Sequence, residues 1–406
     1  MPTAKAPLAT GMGKGEAAVK RLSATATRKA TDRRQGLQNI AREVLLMPGT
    51  TTSVVVVRPQ RMETWEFPLP DVGSRDLLLQ VEMVGICGSE PKKYMGTSVW
   101  NPPYPVILGH EMVGFVQEIG VEATRRYQVA VGDRIVVEPY LSCGWCEFCS
   151  TGHYQLCVNR RVYGTSDSCT TPPHLFGGYG RHLFVSWGSK VHKIRPDVPP
   201  EAAHLASVIG NGIRWVRTKG QVQFLESVVI VGPGAQGLAS VISAVESGAE
   251  PIVAVGLAKD RKRLALAAEF GAHHTLVADE VDVVEAVRDI TSGKMASVVV
   301  ECTGTAPGMN LALDLARPLG RVSLPGLPHA GQQVPLLMEK VVLKELTLRG
   351  ALGQVAEVAD AVKLINSRRY PVEKITTHVF PLEEAEKGMK LFMSGDPDCI
   401  RVALRP

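Results

Sequence analysis

Cysteine, aromatic residues and long hydrophobic runs are all scarce in this chain. Only 8 of its 406 residues are cysteine, and 5% are aromatic. No stretch reaches the roughly 18 consecutive apolar residues that a membrane-spanning helix needs, so we expect no such segment. So few cysteines cannot form the disulfide scaffold of a chain this long, and a reducing compartment such as the cytoplasm is the simplest setting.

Net charge is also small outside the N-terminus. Residues 1–46 contain nine Lys and Arg and three Asp and Glu, a charge of +6, whereas the remaining 36 basic and 37 acidic residues give −1. A nearly neutral body gives no reason to expect a nucleic-acid partner. Residues 1–46 lack the apolar core of a secretory signal. Their composition is typical of a disordered tail. Alternatively, the start codon is assigned too early and Met47 is the true start. The composition is also compatible with an organelle import sequence.

The hydrophobic pattern divides the rest of the chain into a β-rich part and an alternating part. Val-, Ile- and Leu-rich segments punctuated by Gly and Pro predict strands at 53–58, 77–86, 112–119 and 134–138. From Ser227 onwards, short apolar strands alternate with helical patterns at 228–231, 235–245, 252–255, 261–270, 298–300, 309–316 and 321–324. This alternation predicts an α/β fold with a doubly wound parallel sheet. Two more helical patterns and a last strand near Ile400 follow.

A glycine-rich turn follows the first strand of the alternating part. It reads G-P-G-A-Q-G from Gly232 to Gly237, directly after a strand and at the start of a helix. Gly232 permits the tight turn, Gly234 lets the backbone approach a pyrophosphate, and Gly237 lets the helix pack closely on the strand. The helix N-terminus, with Ala235 and Gln236, supplies N–H groups and a partial positive charge. These five residues therefore predict a dinucleotide site; the alternative is a purely structural glycine turn.

The end of the second strand bears on the choice between NAD and NADP. An NAD site usually carries an acid about 20 residues after the glycines, but the corresponding residue here is Gly256. The missing carboxylate removes repulsion against a 2′-phosphate, and Lys259, Arg261 or Lys262 could pair with one. This slightly favours NADP. The alternative is that these basic residues are a solvated helix start with Asp260 as its N-cap.

Four cysteines lie within fifteen residues at a spacing typical of a metal site. They are Cys143, Cys146, Cys149 and Cys157. Four thiolates can form a closed tetrahedral shell, which zinc favours, and a closed shell leaves no position for a substrate. We therefore expect a structural zinc here; an iron–sulfur cluster or a redox-active cysteine set is the alternative.

A second candidate metal site combines a cysteine, a histidine and an acid near predicted strand ends. Cys87, followed by Ser89, ends one strand, and His110 with Glu111 comes 23 residues after Cys87. Three protein ligands and a water suit a zinc ion that acts as a Lewis acid on an alcohol or carbonyl oxygen. The alternative is that Cys87 and His110 are ordinary core residues.

Together these motifs resemble those of the zinc-containing medium-chain dehydrogenases/reductases, the group of alcohol, sorbitol and threonine dehydrogenases. The resemblance runs from about Ser53 to the C-terminus. It depends on the order and spacing of G-I-C-G-S at 85–89, G-H-E-x-x-G at 109–114, V-G-D-R at 131–134, the four cysteines, G-G-Y at 177–179, the glycine turn, E-C-T-G at 301–304 and V-L-K-E at 342–345.

The resemblance implies a GroES-like β-rich catalytic domain and a Rossmann domain that binds NAD(P). The implied organisation is an extension at 1–46, a catalytic domain at 47–207 with a zinc lobe at 138–160, a Rossmann domain at 208–349, and a segment at 350–406 that completes the catalytic domain. The implied assembly is a homodimer or a homotetramer.

The resemblance also implies roles for individual residues. Cys87 and His110 would bind a catalytic zinc with Glu111 as a direct or alternating ligand, and the four loop cysteines would bind a second zinc. Ser89 would hydrogen-bond the substrate alcohol and begin a proton relay. Zinc would lower the pKa of the alcohol, and a hydride would pass to the nicotinamide.

Two positions depart from the family pattern. The histidine that often ends the proton relay, five residues after the first cysteine, is replaced by Lys92. A lysine could relay a proton if its pKa were lowered, or it could simply be solvated. The fourth zinc-ligand position aligns with Ser207, and neutral serine is a poor ligand. Either water and Glu111 complete the shell or zinc binds weakly.

The sequence thus predicts a zinc- and NAD(P)-dependent oxidoreductase that interconverts a secondary or primary alcohol with its carbonyl compound. A polyol is one candidate for that alcohol. The first alternative is a zinc-independent reductase of the same fold acting on an enone or quinone, against which Cys87, His110 and Glu111 argue. The second is a zinc-stabilised protein that binds nucleic acid through its basic N-terminus. The near-neutral body and the glycine turn argue against it.

Overall fold

The computed structural model describes residues 49–328 and 330–406 of the chain. The predicted extension at 1–46 lies outside the described residues. The strands, in chain order, are β1 Thr50–Arg58, β2 Arg61–Pro68, β3 Leu77–Gly85, β4 Val106–Ile107, β5 Met112–Ile119, β6 Arg134–Val137, β7 Tyr140–Leu141, β8 Arg161–Val162, β9 His182–Val185, β10 Val191–Lys193, β11 Val228–Val231, β12 Ile252–Gly256, β13 His274–Val277, β14 Ala296–Glu301, β15 Ala316–Leu324, β16 Thr347–Gly350, β17 His378–Pro381 and β18 Val402–Arg405.

The α-helices are mostly short in the first part of the chain and longer in the second. In chain order they are α1 Glu90–Met95, α2 Val121–Tyr127, α3 Glu147–Ser150, α4 Pro200–Ala203, α5 Ala206–Ile213, α6 Ala235–Glu246, α7 Arg261–Glu269, α8 Val283–Ile290, α9 Ala306–Leu315, α10 Met338–Leu343, α11 Glu357–Ser367 and α12 Ala385–Met393. No helix in the described ranges is long and apolar enough to cross a lipid bilayer.

Most strands of the first part of the chain, joined by β17 and β18, form two β-sheets that share one hydrophobic core, and β7 and β8 form a separate two-stranded sheet. A three-stranded sheet has the order β2-β1-β4, and a larger sheet has the order β10-β6-β5-β3-β18-β17, with β9 also paired to β3. Strand β3 lies inside the larger sheet because its sequence L-L-L-Q-V-E-M-V-G is buried along almost its whole length. Val55, Leu79 and Ile107 from the two sheets pack in the same core.

The C-terminal strand returns to this larger sheet. Strand β18 pairs antiparallel with the end of β3, so that Ala403 lies opposite Gly85 and Leu404 opposite Val84. This register brings Arg401, which immediately precedes β18, to the end of β3, beyond which Cys87 lies.

The alternating part forms a six-stranded parallel sheet in the order β13-β12-β11-β14-β15-β16. Its central strands β11, β12 and β14 are buried on both faces, as is usual in parallel sheets. In β11, Val228 and Ile230 pack in one core with helices α6 and α7, whereas Val229 and Val231 pack in another with α8 and α9. The predicted doubly wound parallel sheet is confirmed. Its strand order reverses between β11 and β14, the point at which such sheets bind dinucleotides.

Candidate active site

Cys87 lies just beyond the end of β3, where the chain turns into helix α1. Gly85 at the end of the strand leaves no room for a side chain, because a Cβ there would lie 2.7 Å from Nδ1 of His204 and 2.8 Å from Oε2 of Glu111. Glycine therefore allows the Glu111 carboxylate to approach the strand that leads to Cys87. Ser89 is the N-cap residue of α1, and both it and Cys87 line a large cleft.

His110 and Glu111 come from the turn before β5. Gly109 has a φ of +97°, and a Cβ there would lie 2.6 Å from the Tyr179 ring, so this turn requires glycine. The side chains of His110 and Glu111 are buried. Ligand atoms of Cys87, His110 and Glu111 lie within 4.8 Å of one another. The fold therefore brings together the three residues that the sequence analysis selected.

Glu90, which the sequence analysis missed, holds this cluster in place. Its Oε1 accepts a hydrogen bond from the Gly109 N–H at 3.0 Å and lies 3.0 Å from Nδ1 of His110. Its Oε2 accepts hydrogen bonds from the Cys87 N–H at 3.1 Å and from the Tyr179 hydroxyl at 2.5 Å. The only sequence signal is an acid three residues after Cys87, at the first position of α1.

The charges of these groups stabilise one another despite their burial. Burial alone would raise the pKa of the Cys87 thiol, but His110 and Arg401 lower it to about 6. Burial would lower the pKa of His110, but Cys87 and Glu90 raise it to about 9. The pKa of Glu90 is held below its usual value because His110 and Lys93 outweigh the effect of burial. The cluster therefore favours a Cys87 thiolate, the protonation state that a metal ligand requires, whereas the His110 ring must release a proton when a metal binds to it.

Arg401 is a second residue that the sequence analysis missed. Its guanidinium forms an ion pair with Oε2 of Glu111, and both side chains are buried. The two residues are 290 positions apart, and only the pairing of β18 with β3 brings them together. One carboxylate oxygen of Glu111 is therefore engaged by Arg401.

The donor set at this cluster fits a catalytic zinc ion. Cys87, His110 and Glu111 offer a thiolate, an imidazole and a carboxylate, which are the three ligand types that zinc prefers. Ser207, on helix α5, lines the same cleft and is buried, but its neutral hydroxyl adds no charged ligand. The three donors leave a coordination position open, as catalytic zinc sites do.

Lys92 is half-buried, and its ammonium contacts backbone carbonyl groups across the cleft. Its Nζ donates hydrogen bonds to the carbonyl oxygens of Leu327 at 3.0 Å and Pro328 at 3.2 Å, in the loop after β15. Burial lowers the pKa of Lys92. The side chain therefore links helix α1 to the parallel-sheet side of the cleft.

The four loop cysteines form a separate cluster between β7 and β8. Their four sulfur atoms lie within 4.8 Å of one another. The Sγ of Cys143 is 3.8 Å from that of Cys149 and 3.5 Å from that of Cys157. A tetrahedron with zinc–sulfur bonds of 2.3 Å has sulfur–sulfur edges of about 3.8 Å, so these distances fit a zinc ion. Backbone N–H groups of Val158 and Cys149 help to lower the pKa of Cys146 to about 6, which favours a metal-binding thiolate, whereas burial raises the pKa of Cys149 to about 12.

The glycine turn lies in the same cleft as Cys87. The cleft has a volume of about 1490 Å³ and is lined by Cys87 and His110 and by every residue from Gly232 to Gly237. A Cβ on Gly237 would lie 2.0 Å from the Gly232 carbonyl oxygen, whereas a Cβ on Gly234 would meet nothing within 4 Å. Gly237 thus permits close packing inside the protein, and Gly234 leaves the entrance of α6 open towards the cleft.

Of the residues predicted to bind the cofactor at or after the end of β12, some line the cleft and others do not. Gly256 and Lys259 line the cleft. Arg261 does not line it, because its guanidinium turns away to pair with Glu280 at 2.5 Å. Arg263, which the sequence analysis did not select, lines the cleft and pairs with Asp260 at 2.9 Å.

Comparison with known proteins agrees with this arrangement. Residues 73–196 match the family described as the alcohol dehydrogenase GroES-like domain, and residues 235–367 match the zinc-binding dehydrogenase family. A probable alcohol dehydrogenase of Mycobacterium tuberculosis is 35% identical over 353 residues, which cover 85% of this chain and 95% of that protein. The chain belongs to the zinc-binding medium-chain dehydrogenases.

Two further similarities support the same assignment. An erythritol/L-threitol dehydrogenase of Mycolicibacterium smegmatis is 34% identical over 89% of this chain and 99% of its own length. The crystal structure of an alcohol dehydrogenase from Thermotoga maritima superposes with a TM-score of 0.80 at 29% identity, covering 88% of this chain and 99% of that one. The chain is thus an NAD(P)-dependent, zinc dehydrogenase-like oxidoreductase with a GroES-like domain and a Rossmann-like sheet.

Proposed function

We propose that this zinc-binding medium-chain dehydrogenase transfers a hydride between an alcohol, in particular a polyol or another secondary alcohol, and NAD(P). One observation carries the proposal: the Cys87, His110 and Glu111 cluster and the Gly232–Gly237 turn line a single cleft. A zinc-independent reductase would have no use for three zinc-type donors within 4.8 Å of one another at this position.

In this proposal the chain holds two zinc ions. Cys87 and His110 bind the catalytic ion with Glu111 as a direct or alternating ligand, and the four loop cysteines bind a structural ion. When bound, the catalytic zinc supplies Lewis acidity that lowers the pKa of an alcohol, and the nicotinamide supplies a hydride acceptor. Glu90 fixes the orientation of the His110 ring, and Arg401 restrains Glu111.

Ser89 is the residue we assign to hydrogen-bonding the substrate hydroxyl and receiving its proton. It lines the cleft at the start of α1, two residues from Cys87. Lys92 does not continue the relay in this proposal, because its ammonium already donates to two carbonyl oxygens. The proton of Ser89 passes instead to solvent in the cleft, and Lys92 positions the loop at 327–328.

We further propose that NADP is preferred over NAD. Gly256 carries no carboxylate, and a Cβ there would lie 2.8 Å from the Pro233 ring, so the position cannot easily accept one. Asp260 is neutralised by its ion pair with Arg263, and Lys259 is an exposed cation beside them. The group is therefore suited to a 2′-phosphate.

The preference is measured as the ratio of kcat/KM for NADP to that for NAD. We expect Lys259→Ser to lower this ratio roughly tenfold, because a charge-assisted hydrogen bond is lost. Lys262→Ser is the matched control, since Lys262 pairs with Asp398 outside the cleft lining. Equal use of both cofactors by the unaltered protein would disprove the preference.

The decisive test of the function combines elemental analysis with a panel of alcohols. We expect two zinc ions per chain, and turnover of at least one polyol or secondary alcohol. Cys87→Ser should retain the fold and one zinc ion but lose more activity than the roughly 100-fold that loss of an outer-shell partner costs. Retained turnover in Cys87→Ser would refute the site, and a single zinc ion in the unaltered protein would favour a zinc-independent enone or quinone reductase.

A further inference from the structure

The cleft contains more positive than negative charge. Its lining includes six Lys and Arg residues but only two carboxylates, Glu111 and Asp260. Arg401 pairs with Glu111, and Arg263 pairs with Asp260. The cations that remain are Lys259 at the cofactor end and Lys92, Lys93 and Arg160.

Lys93 is the most unusual of these cations because it is buried. Only 4% of the residue is exposed, yet the single hydrogen bond of its ammonium within residues 49–328 and 330–406 goes to a neutral group, Oγ1 of Thr165, at 2.6 Å. Burial lowers the pKa of Lys93, and the nearby charges of Glu90 and Cys87 offset this only in part. Four other donors already surround the Glu90 carboxylate. An ammonium carries three N–H groups, and only one of those of Lys93 has a partner in the described part of the chain. Because buried charges in proteins are normally paired and Lys93 lines the cleft, we expect the other two to serve a ligand there.

Arg160 lines the same cleft as Cys87, His110 and Lys93. The Arg160 guanidinium donates a hydrogen bond to the carbonyl oxygen of Gln155 at 2.6 Å, and its central carbon lies 5.5 Å from the centre of the Trp100 ring. These contacts hold the guanidinium in place and leave most of its N–H groups for an anion.

We propose that Lys93 and Arg160 bind an anionic group of the substrate, so that the enzyme acts on alcohols that carry a carboxylate or a phosphate ester. This inference depends on the proposed function, since it names the substrate class of the same site. Neither carboxylate of the cleft competes for these cations, because both are paired elsewhere. A substrate anion would supply the hydrogen-bonded counter-charge that the Lys93 ammonium does not find in Thr165, whereas a neutral polyol would not.

The test uses the zinc-loaded full-length protein and matched pairs of alcohols that differ only by an anionic group. Propylene glycol is compared with lactate, and glycerol with glycerol phosphate, so that the two pairs separate a carboxylate ligand from a phosphate ligand. We expect kcat/KM for the anionic member of one pair to exceed that of the neutral member by about 10- to 100-fold, the effect of a hydrogen bond to a charged group.

Three variants and one control identify the residues responsible. Lys93→Met keeps the length of the side chain without its charge, and it should reduce the anionic-to-neutral ratio of kcat/KM at least tenfold, mainly through KM. Lys93→Arg should restore part of that ratio. Arg160→Gln, at a less buried position, tests the proposal should Lys93→Met fail to fold. Arg181→Gln removes the charge of an exposed arginine outside the cleft and should leave the ratio unchanged.

The outcomes separate this inference from the proposed function. If neutral alcohols are oxidised as well as or better than their anionic counterparts, or the ratio survives in Lys93→Met and Arg160→Gln, the anion site is refuted and the dehydrogenase function stands. If no alcohol is oxidised, the proposed function fails, and calorimetric titration with inorganic phosphate decides the anion site. Binding that is lost in Lys93→Met supports the site, and the absence of binding overturns it.

Discussion

Glu90 illustrates how a residue that binds neither metal nor substrate can control a catalytic cluster. The carboxylate is fully buried and lies against four groups, two of which belong to the candidate ligands Cys87 and His110. The other two, the Gly109 N–H and the Tyr179 hydroxyl, anchor it to the neighbouring turns. A carboxylate in this position fixes the orientation of an imidazole ligand and increases its basicity.

Replacement of Glu90 by glutamine tests this positioning role. The amide keeps the size of the side chain but removes its charge, so we expect zinc affinity to fall by about 10- to 100-fold. The measurement is competition with a chelator, with zinc per chain as the readout, together with kcat. Glu118→Gln, on an exposed position of β5, is the matched control. Unchanged zinc retention in Glu90→Gln would mean that His110 is oriented by its packing alone.

The residues of the site differ in how far the sequence could reveal them. Cys87, His110 and Glu111 could be identified from the sequence because each follows or precedes an apolar strand and because their residue types suit zinc. Arg401 could not be identified from the sequence, because nothing in the local pattern links it to a partner 290 residues away. Arg261 and Arg263 are both basic residues of one helical turn, and only the ion pair of Arg261 with Glu280 shows that it points away from the cleft.

Among the helices and strands, those with clear apolar patterns were predicted best, because burial dictates those patterns. The predicted strand at 112–119 matches β5, and the predicted helix at 235–245 is α6 shortened by one residue. Strand β2 was missed because its sequence R-M-E-T-W-E-F-P buries only one residue and lacks a continuous apolar run. Helix α5 was missed because A-S-V-I-G-N-G-I contains two glycines, although Gly212 is what allows the helix to approach the Ala239 backbone.

The cysteine lobe is an element with little regular structure of its own. Between β7 and β8 it contains only the four-residue helix α3 and a short 3₁₀ turn, Tyr154–Leu156. Its packing against the body is limited to a small cluster that includes Tyr140, Tyr154 and Val355. We therefore expect a bound metal ion to supply much of its stability, since four sulfur atoms converge within it.

Loss of one sulfur ligand should unfold this lobe. We expect Cys146→Ser to lose one zinc ion per chain and to lower Tm by at least about 5 °C, because a structural zinc contributes folding free energy directly. Activity should fall too, because Tyr140 packs under the lobe and lines the cleft. Cys169→Ala removes a buried thiol outside both clusters and should keep both zinc ions. Full zinc content and an unchanged Tm in Cys146→Ser would rule out the structural metal.

At the scale of the whole molecule, the cleft exists because the chain returns to its first sheet. The parallel sheet supplies the glycine turn, and the pairing of β18 with β3 then closes the catalytic part around Cys87. Lys92 adds a direct link across the cleft to the loop after β15. The order of β-rich, alternating and mixed segments indicated this arrangement, but the register that places Arg401 beside Glu111 depends on long-range pairing that no local pattern encodes.

One edge of the parallel sheet has the properties of an interface between subunits. Strand β16 is the last strand of the sheet, so one side of its backbone has no partner strand among the described residues. Helix α10, which precedes it, has no buried residue, although Met338, Val342 and Leu343 are apolar. Leu343 is 82% exposed and Val342 69%. Natural sheets rarely leave an apolar edge uncovered, so this edge is where we expect the predicted homodimer or homotetramer to form.

Disruption of this surface should yield a smaller assembly. We expect the unaltered protein to elute as a dimer or a tetramer in size-exclusion chromatography with light scattering. The double variant Val342→Glu and Leu343→Glu should shift the mass to that of a smaller assembly, because charges cannot be buried unpaired in an interface. Val131→Glu, at an exposed apolar position far from this edge in the fold, should keep the original mass. If the double variant keeps it as well, the subunits meet elsewhere, and β16 and α10 form a free surface of each subunit.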